Sequence, residues 1–235
     1  MFFLKKMVMN LLGRVFFYPV CISAVENVGG DFCVVEMQGD ALKKVHWNPG
    51  EKMKIRVGKG KERSYTPLFV DRDKGKTKFV IHLHRKGPGS NWASNLKIGD
   101  TSHLSESRKS LTFIPSDKGY IFFGDETTIG AAYALKFSQK NTDSFTFVFE
   151  VSSLSSAEQV LAHLNMNRAK LVLKNKENTH LADVEKILSE EMRKGINPQL
   201  ILMGNTQSII KIRNALISLG CPSSQCKMKS YWSSR

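Results

Sequence analysis

The sequence predicts a β + α/β fold in two parts, an antiparallel β-barrel over residues 1–112 and a parallel α/β domain over residues 113–235. Two changes of pattern carry this reading. Up to about residue 112, apolar and polar residues alternate in short runs, the period of strands with one wet face. From residue 113 the apolar runs become continuous, as in strands covered on both faces, and helical periodicity fills the intervals between them.

The N-terminal Met1-Phe2-Phe3-Leu4-Lys5-Lys6 and the run from Val8 to Val20 have the outline of a signal peptide. Asn10, Gly13 and Arg14 interrupt that run and no small-residue cleavage site follows, so it reads as the lead-in and first strand of the barrel. Cys33–Met37, Met53–Val57 and Phe79–His84 follow as strands. Turn residues separate them at Gly29-Gly30-Asp31, Asn48-Pro49-Gly50, Asp71–Gly75 and Ile98-Gly99-Asp100. Closely spaced strands with little helix between them build a small barrel or sandwich. In the second half, Tyr120–Phe123, Phe145–Phe149, Lys170–Leu173 and Leu200–Met203 are the buried strands. Val184, Ile187, Leu188 and Met192 line one helix, which Gly195 stops; Ile209, Ile212, Leu216 and Leu219 line another, which Gly220 and Pro222 stop. Alternating strand and helix places ligands at the carboxyl ends of the strands.

Composition narrows the function classes. With 41% hydrophobic and 24% charged residues, the chain is an ordinary globular protein, and no segment reaches the roughly 18 apolar residues that span a bilayer. Cys21, Cys33, Cys221 and Cys226 form neither a dense disulfide framework nor a zinc or thioredoxin spacing, which points to a reduced, cytoplasmic protein. The formal charge of +14 attracts anions. Its lysines and arginines are dispersed and no recognition helix accompanies them, so a nucleic-acid partner is not expected.

Four landmarks carry chemistry. In Arg63-Ser64-Tyr65-Thr66-Pro67 the guanidinium can grip a diphosphate bidentately, the tyrosine offers a flat aromatic face, and the threonine offers a hydrogen-bonding hydroxyl or amide. In Gly87-Pro88-Gly89-Ser90-Asn91-Trp92-Ala93 the glycines let a phosphate approach the backbone, Ser90 can donate to it, and a short helix begins at Trp92 and Ala93. His82 and His84, on the strand before it, sit at metal-ligand spacing but lack a third ligand. Gly124-Asp125-Glu126-Thr127-Thr128 follows a strand directly and starts a helix at Thr127 or Thr128. There Thr127, Thr128 and backbone N–H groups are better phosphate contacts than the two acids. Gly204-Asn205 ends the last buried strand, and Lys229-Ser230-Tyr231-Trp232 closes the series.

In this order and spacing the motifs resemble the siderophore-interacting protein family, flavoproteins of the ferredoxin-reductase type. The resemblance runs from about Val28 through nearly the whole chain. It implies FAD on the barrel, held by Arg63, Ser64, Tyr65, Thr66, His82, His84, Gly87, Pro88, Gly89, Ser90, Trp92 and Ala93. It implies NADPH or NADH at Asp125, Thr127, Thr128, Gly204 and Asn205, with Gly204 allowing close approach of the cofactor. An anionic ferric siderophore would be received by Lys229, Tyr231 and Trp232. The activity implied is reduction of the ferric chelate to release Fe(II) in the cytoplasm, by a monomer, with a ferredoxin as a possible alternative electron donor. Relatives carry Arg where Leu68 stands, Ala at Gly89, and Glu at Asn205. Two other readings share the fold: a general flavin reductase or diaphorase, and a binding protein whose nucleotide site has been lost.

Overall fold

The computed structural model describes residues 16–111, 113, 119–139, 145–194 and 198–233. The Met1–Lys6 lead-in and the Gly195 helix stop lie outside them. Contacts divide the chain into two compact units, with Val28–Phe32 counted alongside the residues from Phe113 onward.

The first unit is a seven-stranded sheet of β1 (Phe17–Val28), β2 (Phe32–Gln38), β3 (Met53–Gly58), β4 (Lys61–Tyr65), β5 (Phe69–Asp71), β6 (Lys76–His82) and β7 (Thr101–Ser105). The order is β4-β3-β7-β1-β2-β6-β5, and the pairings β1–β7, β3–β4, β3–β7 and β5–β6 are antiparallel. The edge strands β4 and β5 are nonetheless joined by three residues, 66–68. A chain of that length spans at most about 14 Å from Tyr65 to Phe69. The sheet therefore curls until its two edges nearly meet, which makes it a half-barrel. Alternate residues point inward: Ile55, Met53 and Val57 of β3 join Cys33, Val35 and Met37 of β2 and Phe79 and Ile81 of β6 in one core. Each such buried aliphatic side chain stabilises the unit by roughly 1.5–3 kcal/mol. One short helix, α1 (Pro88–Ser94), follows β6. It begins at Pro88, so Trp92 and Ala93 lie in its second half and not at its start.

The second unit is a wholly parallel five-stranded sheet in the order β10-β9-β8-β11-β12. Its strands are β8 (Tyr120–Asp125), β9 (Phe145–Val151), β10 (Lys170–Leu173), β11 (Gln199–Asn205) and β12 (Cys226–Trp232). The connecting helices are α2 (Ile129–Phe137), α3 (Leu154–His163), α4 (His180–Lys194) and α5 (Thr206–Ser218). One sheet face presents Ile121, Phe123, Val148, Leu200 and Leu202 to α4 (Leu181, Val184, Leu188) and α5 (Ile209, Ile212, Leu216). Gly220, at φ +91, ends α5 as the sequence predicts. The strand order runs outward from β8 through β9 to β10, then restarts on the other side with β11. The topological switch point thus lies between β8 and β11, where α/β sheets open a crevice at their carboxyl ends. β12 was expected only as a closing motif; it is a paired strand beside β11. Among the described residues no helix is long and apolar enough to cross a membrane.

Candidate functional site

In the first unit the two motifs expected to hold flavin meet. β4 carries Arg63, Ser64 and Tyr65, and α1 lies against it at Gly89. A Cβ on Gly89 would stand 2.3 Å from Tyr65 Oη and 3.2 Å from Arg63 Cγ, so the missing side chain is the space that Tyr65 fills. Burial pushes the Tyr65 hydroxyl up to about 12. It therefore stays protonated, a neutral donor, across the physiological range. The Arg63 guanidinium is exposed, and its hydrogen bond among the described residues goes to the Glu62 carbonyl at 2.8 Å. Gly87 takes φ +83, with His84 Cε1 the nearest atom to a Cβ placed there, at 3.8 Å. The backbone at that turn is consequently open on the side where a side chain would stand. In the first turn of α1 the N–H groups of Gly89 and Ser90 have no acceptor among the described residues. The Ser90 hydroxyl points elsewhere. It is 1% exposed and accepts from the Arg85 N–H at 2.9 Å, which fixes the loop instead of facing an anion. Thr66 is buried at the end of β4, and the rings of His82 and His84 lie 6.1 Å apart. Leu68 is 2% exposed and belongs to the interior, which is why an arginine has no place there.

In the second unit the carboxyl edge is built around Asp125, which is fully buried. Its Oδ1 accepts from the Thr127 N–H at 2.8 Å and the Thr127 hydroxyl at 2.5 Å. Its Oδ2 accepts from the Asn205 N–H and from Trp232 Nε1, both at 2.8 Å. Burial raises the carboxyl above the ordinary aspartate range, while Lys174 and the Thr127 and Trp232 donors pull it back. Asn205 caps α5, its Oδ1 accepting from the N–H groups of Gln207 (2.9 Å) and Ser208 (3.1 Å). Thr128 donates its hydroxyl to the Asp125 carbonyl at 2.7 Å. Glu126 accepts from the Ser152 N–H and from Lys174 Nζ, each at 2.5 Å. On the neighbouring strand the buried Glu150 meets His180 Nε2 at 2.9 Å. His180 Nδ1 lies 3.3 Å from both the N–H and the side-chain oxygen of Asn175. Gly204 takes φ +115, and a Cβ there would stand 2.5 Å from Asp125 Oδ2; one on Gly124 would stand closer still to Thr128 Oγ1. Both glycines make room for the chain's own side chains.

Residues 33–110 match a family model described as the siderophore-interacting FAD-binding domain. The matched residues lie within the first unit. No curated protein sequence matches the chain. Among solved structures, it is similar to a siderophore utilization protein from T. fusca, at 17% identity and TM-score 0.75 over 93% of each chain. A siderophore-interacting protein from Acinetobacter baumannii gives 14% identity and TM-score 0.73, covering 93% of this chain and 91% of that one. Ferredoxin-NADP+ reductase from Plasmodium falciparum gives 16% and 0.69, covering 91% and 95%. At these identities the likeness establishes the fold, and that fold is ferredoxin-reductase-like.

Within the FAD-binding domain the structure gathers Arg63, Tyr65, Gly87 and Gly89, while Ser90 turns into the loop. The open backbone, the two N–H groups and the exposed guanidinium fit an anionic cofactor such as FAD. Asp125, Thr127, Thr128, Gly204, Asn205 and Trp232 come together in the second unit. Trp232, expected to meet substrate, donates its indole N–H to Asp125 and is otherwise exposed. Lys229 is half-buried on β12 with no ion-pair partner among the described residues. Three partners in this edge were not read from the sequence: Lys174, His180 and the role of Glu126. Lys174 follows β10 directly, and a basic residue at the carboxyl end of a strand was the available signal.

Proposed function

We propose that the chain is an FAD-dependent reductase of ferric siderophores. The supporting observation is the meeting of Arg63, Tyr65 and the Gly87–Gly89 turn inside the stretch that matches the siderophore-interacting FAD-binding domain. When bound, FAD supplies a ring that accepts two electrons and passes them on singly, which suits a one-electron Fe(III)/Fe(II) couple. The chain's own residues bind and orient. Arg63 holds the diphosphate with its planar fork, and the Gly89 and Ser90 N–H groups face it. Tyr65, kept neutral by burial, offers its ring face and a hydroxyl proton without bringing a charge to the flavin. Thr66 sits beside it as the polar contact for the ring. The ferric chelate is the substrate, and the chain's +14 charge, with Lys229 among its cations, draws an anionic chelate toward the protein. Fe(II) then leaves because hard oxygen donors hold it less tightly than Fe(III).

Visible spectroscopy tests this. Purified protein should carry flavin bands near ~450 nm that bleach with dithionite in the absence of oxygen and return on adding a ferric siderophore. A chromogenic Fe(II) chelator should then report ferrous iron in step with flavin reoxidation. A protein that takes up no FAD, or a reduced flavin that the ferric chelate does not reoxidise, refutes the proposal.

A further inference from the structure

The switch-point edge of the second unit is where this fold would hold the diphosphate of NADPH or NADH, and the residues present do not fit that group. A diphosphate is bound there by unpaired backbone N–H groups, by small residues that let it approach, and by positive charge. Among the described residues at the ends of β8, β9 and β11, the N–H groups of Thr127, Ser152, Asn205, Gln207 and Ser208 are already used: each donates to a side chain of the same edge. The two glycines leave no cradle: the space over Gly204 holds the Asp125 carboxylate, and that over Gly124 holds the Thr128 hydroxyl. Three acids, Asp125, Glu126 and Glu150, are buried at the ends of β8 and β9, with relative exposures of 0%, 5% and 2%. Lys174, the cation beside them, is committed to Glu126. Glu150 could have read the hydroxyls of an adenosine ribose, as an acid near this position does in dinucleotide domains. It is committed to His180.

We infer that this edge holds no dinucleotide diphosphate, and that the donor reducing the flavin is therefore not selected through a diphosphate bound there. The inference rests on the flavin-reductase reading only for its second half; the first concerns the second unit alone.

The test uses the full chain loaded with FAD. ADP, as the diphosphate probe, is titrated by calorimetry, and flavin bleaching without oxygen is timed with NADPH, NADH and reduced nicotinamide mononucleotide at equal concentration. The expected result is no saturation by ADP up to ~1 mM and bleaching rates within about 3-fold of one another. Saturation by ADP below ~100 μM, or NADPH outpacing the mononucleotide by about 100-fold or more, overturns the inference. If dithionite bleaches the flavin but no nicotinamide does, and ADP does not saturate, the inference stands and nicotinamide is removed as the donor. If the chain takes up no FAD, the proposed function fails and the ADP titration alone decides the inference.

Discussion

Gly204→Ala isolates what the Gly204 position is for. At φ +115 a side chain strains the backbone by about 1–2 kcal/mol. The new methyl would also stand 2.5 Å from Asp125 Oδ2 and 2.8 Å from its Cγ, so the carboxylate must withdraw. Withdrawal weakens the charge-assisted bonds from the Asn205 N–H and Trp232 Nε1, each worth about 1.5–3 kcal/mol. If both bonds are lost the summed cost is about 4–8 kcal/mol. In an Asp125→Ala background the collision is gone, and Gly204→Ala should cost only the backbone share, about 1–2 kcal/mol. Urea unfolding of the four proteins of this double-mutant cycle should give a coupling of about 2 kcal/mol or more. Additivity within about 0.5 kcal/mol would refute the claim that Gly204 exists to accommodate Asp125.

Two further outcomes follow from the same geometry. Arg63→Ala should weaken FAD binding about 10- to 100-fold, the loss of a charge-assisted diphosphate contact, with Arg63→Lys recovering part of it; unchanged affinity by flavin-fluorescence titration would place the diphosphate elsewhere. Hydrogen bonds from Lys170 and then Lys194 hold the Glu191 carboxyl down at about 2, against an ordinary 4.5. Because the folded value is the lower one, this stabilisation is present above pH 4.5 and is lost as pH falls toward 2. Both lysines are partly exposed, at 40% and 67%, so screening reduces the effect to about 1 kcal/mol. Glu191→Gln should flatten the acid limb of a stability-against-pH curve in that window, and an unaltered limb counts against the pairing.

Whereas β10, expected to be buried, is an edge strand with Leu173 50% exposed, the buried strands β8, β9 and β11 and the apolar stripes of α4 and α5 were legible because burial on both faces writes itself as continuous hydrophobic runs. Pleat alternation did the same for β2, β3 and β6. β4 and β12 were harder. Lys61–Tyr65 and Cys226–Trp232 are edge strands rich in lysine and polar residues, and their strand state comes from a partner's ladder more than from their own composition. Arg63, Tyr65 and the glycine turn were legible as a cluster because the order of their motifs in the sequence is matched by their contact at Gly89 in the structure. Gly204 in the second unit's edge was less legible, because a glycine at a strand end has two causes. It can admit a ligand or a neighbouring side chain, and only the position of Asp125, 79 residues earlier in the chain, separates them. Ser90 shows the same limit: a serine in an anion-binding turn looks alike whether its hydroxyl faces out or braces Arg85.

The Asp125 carboxylate also bears on the order in which the second unit can be built. Two of its donors come from residues 80 and 107 positions further along the chain, Asn205 and Trp232. During synthesis β8 and β9 can pair long before either donor exists. Until Trp232 has been added, the nascent sheet must keep that carboxylate hydrated at an open end or leave it short of partners in the interior, and contacts of such long range close late. Completion of this unit is tied to the strand that supplies the indole, so a ribosome stalled within β12 would present a half-finished, sticky sheet edge to whatever chaperones attend it.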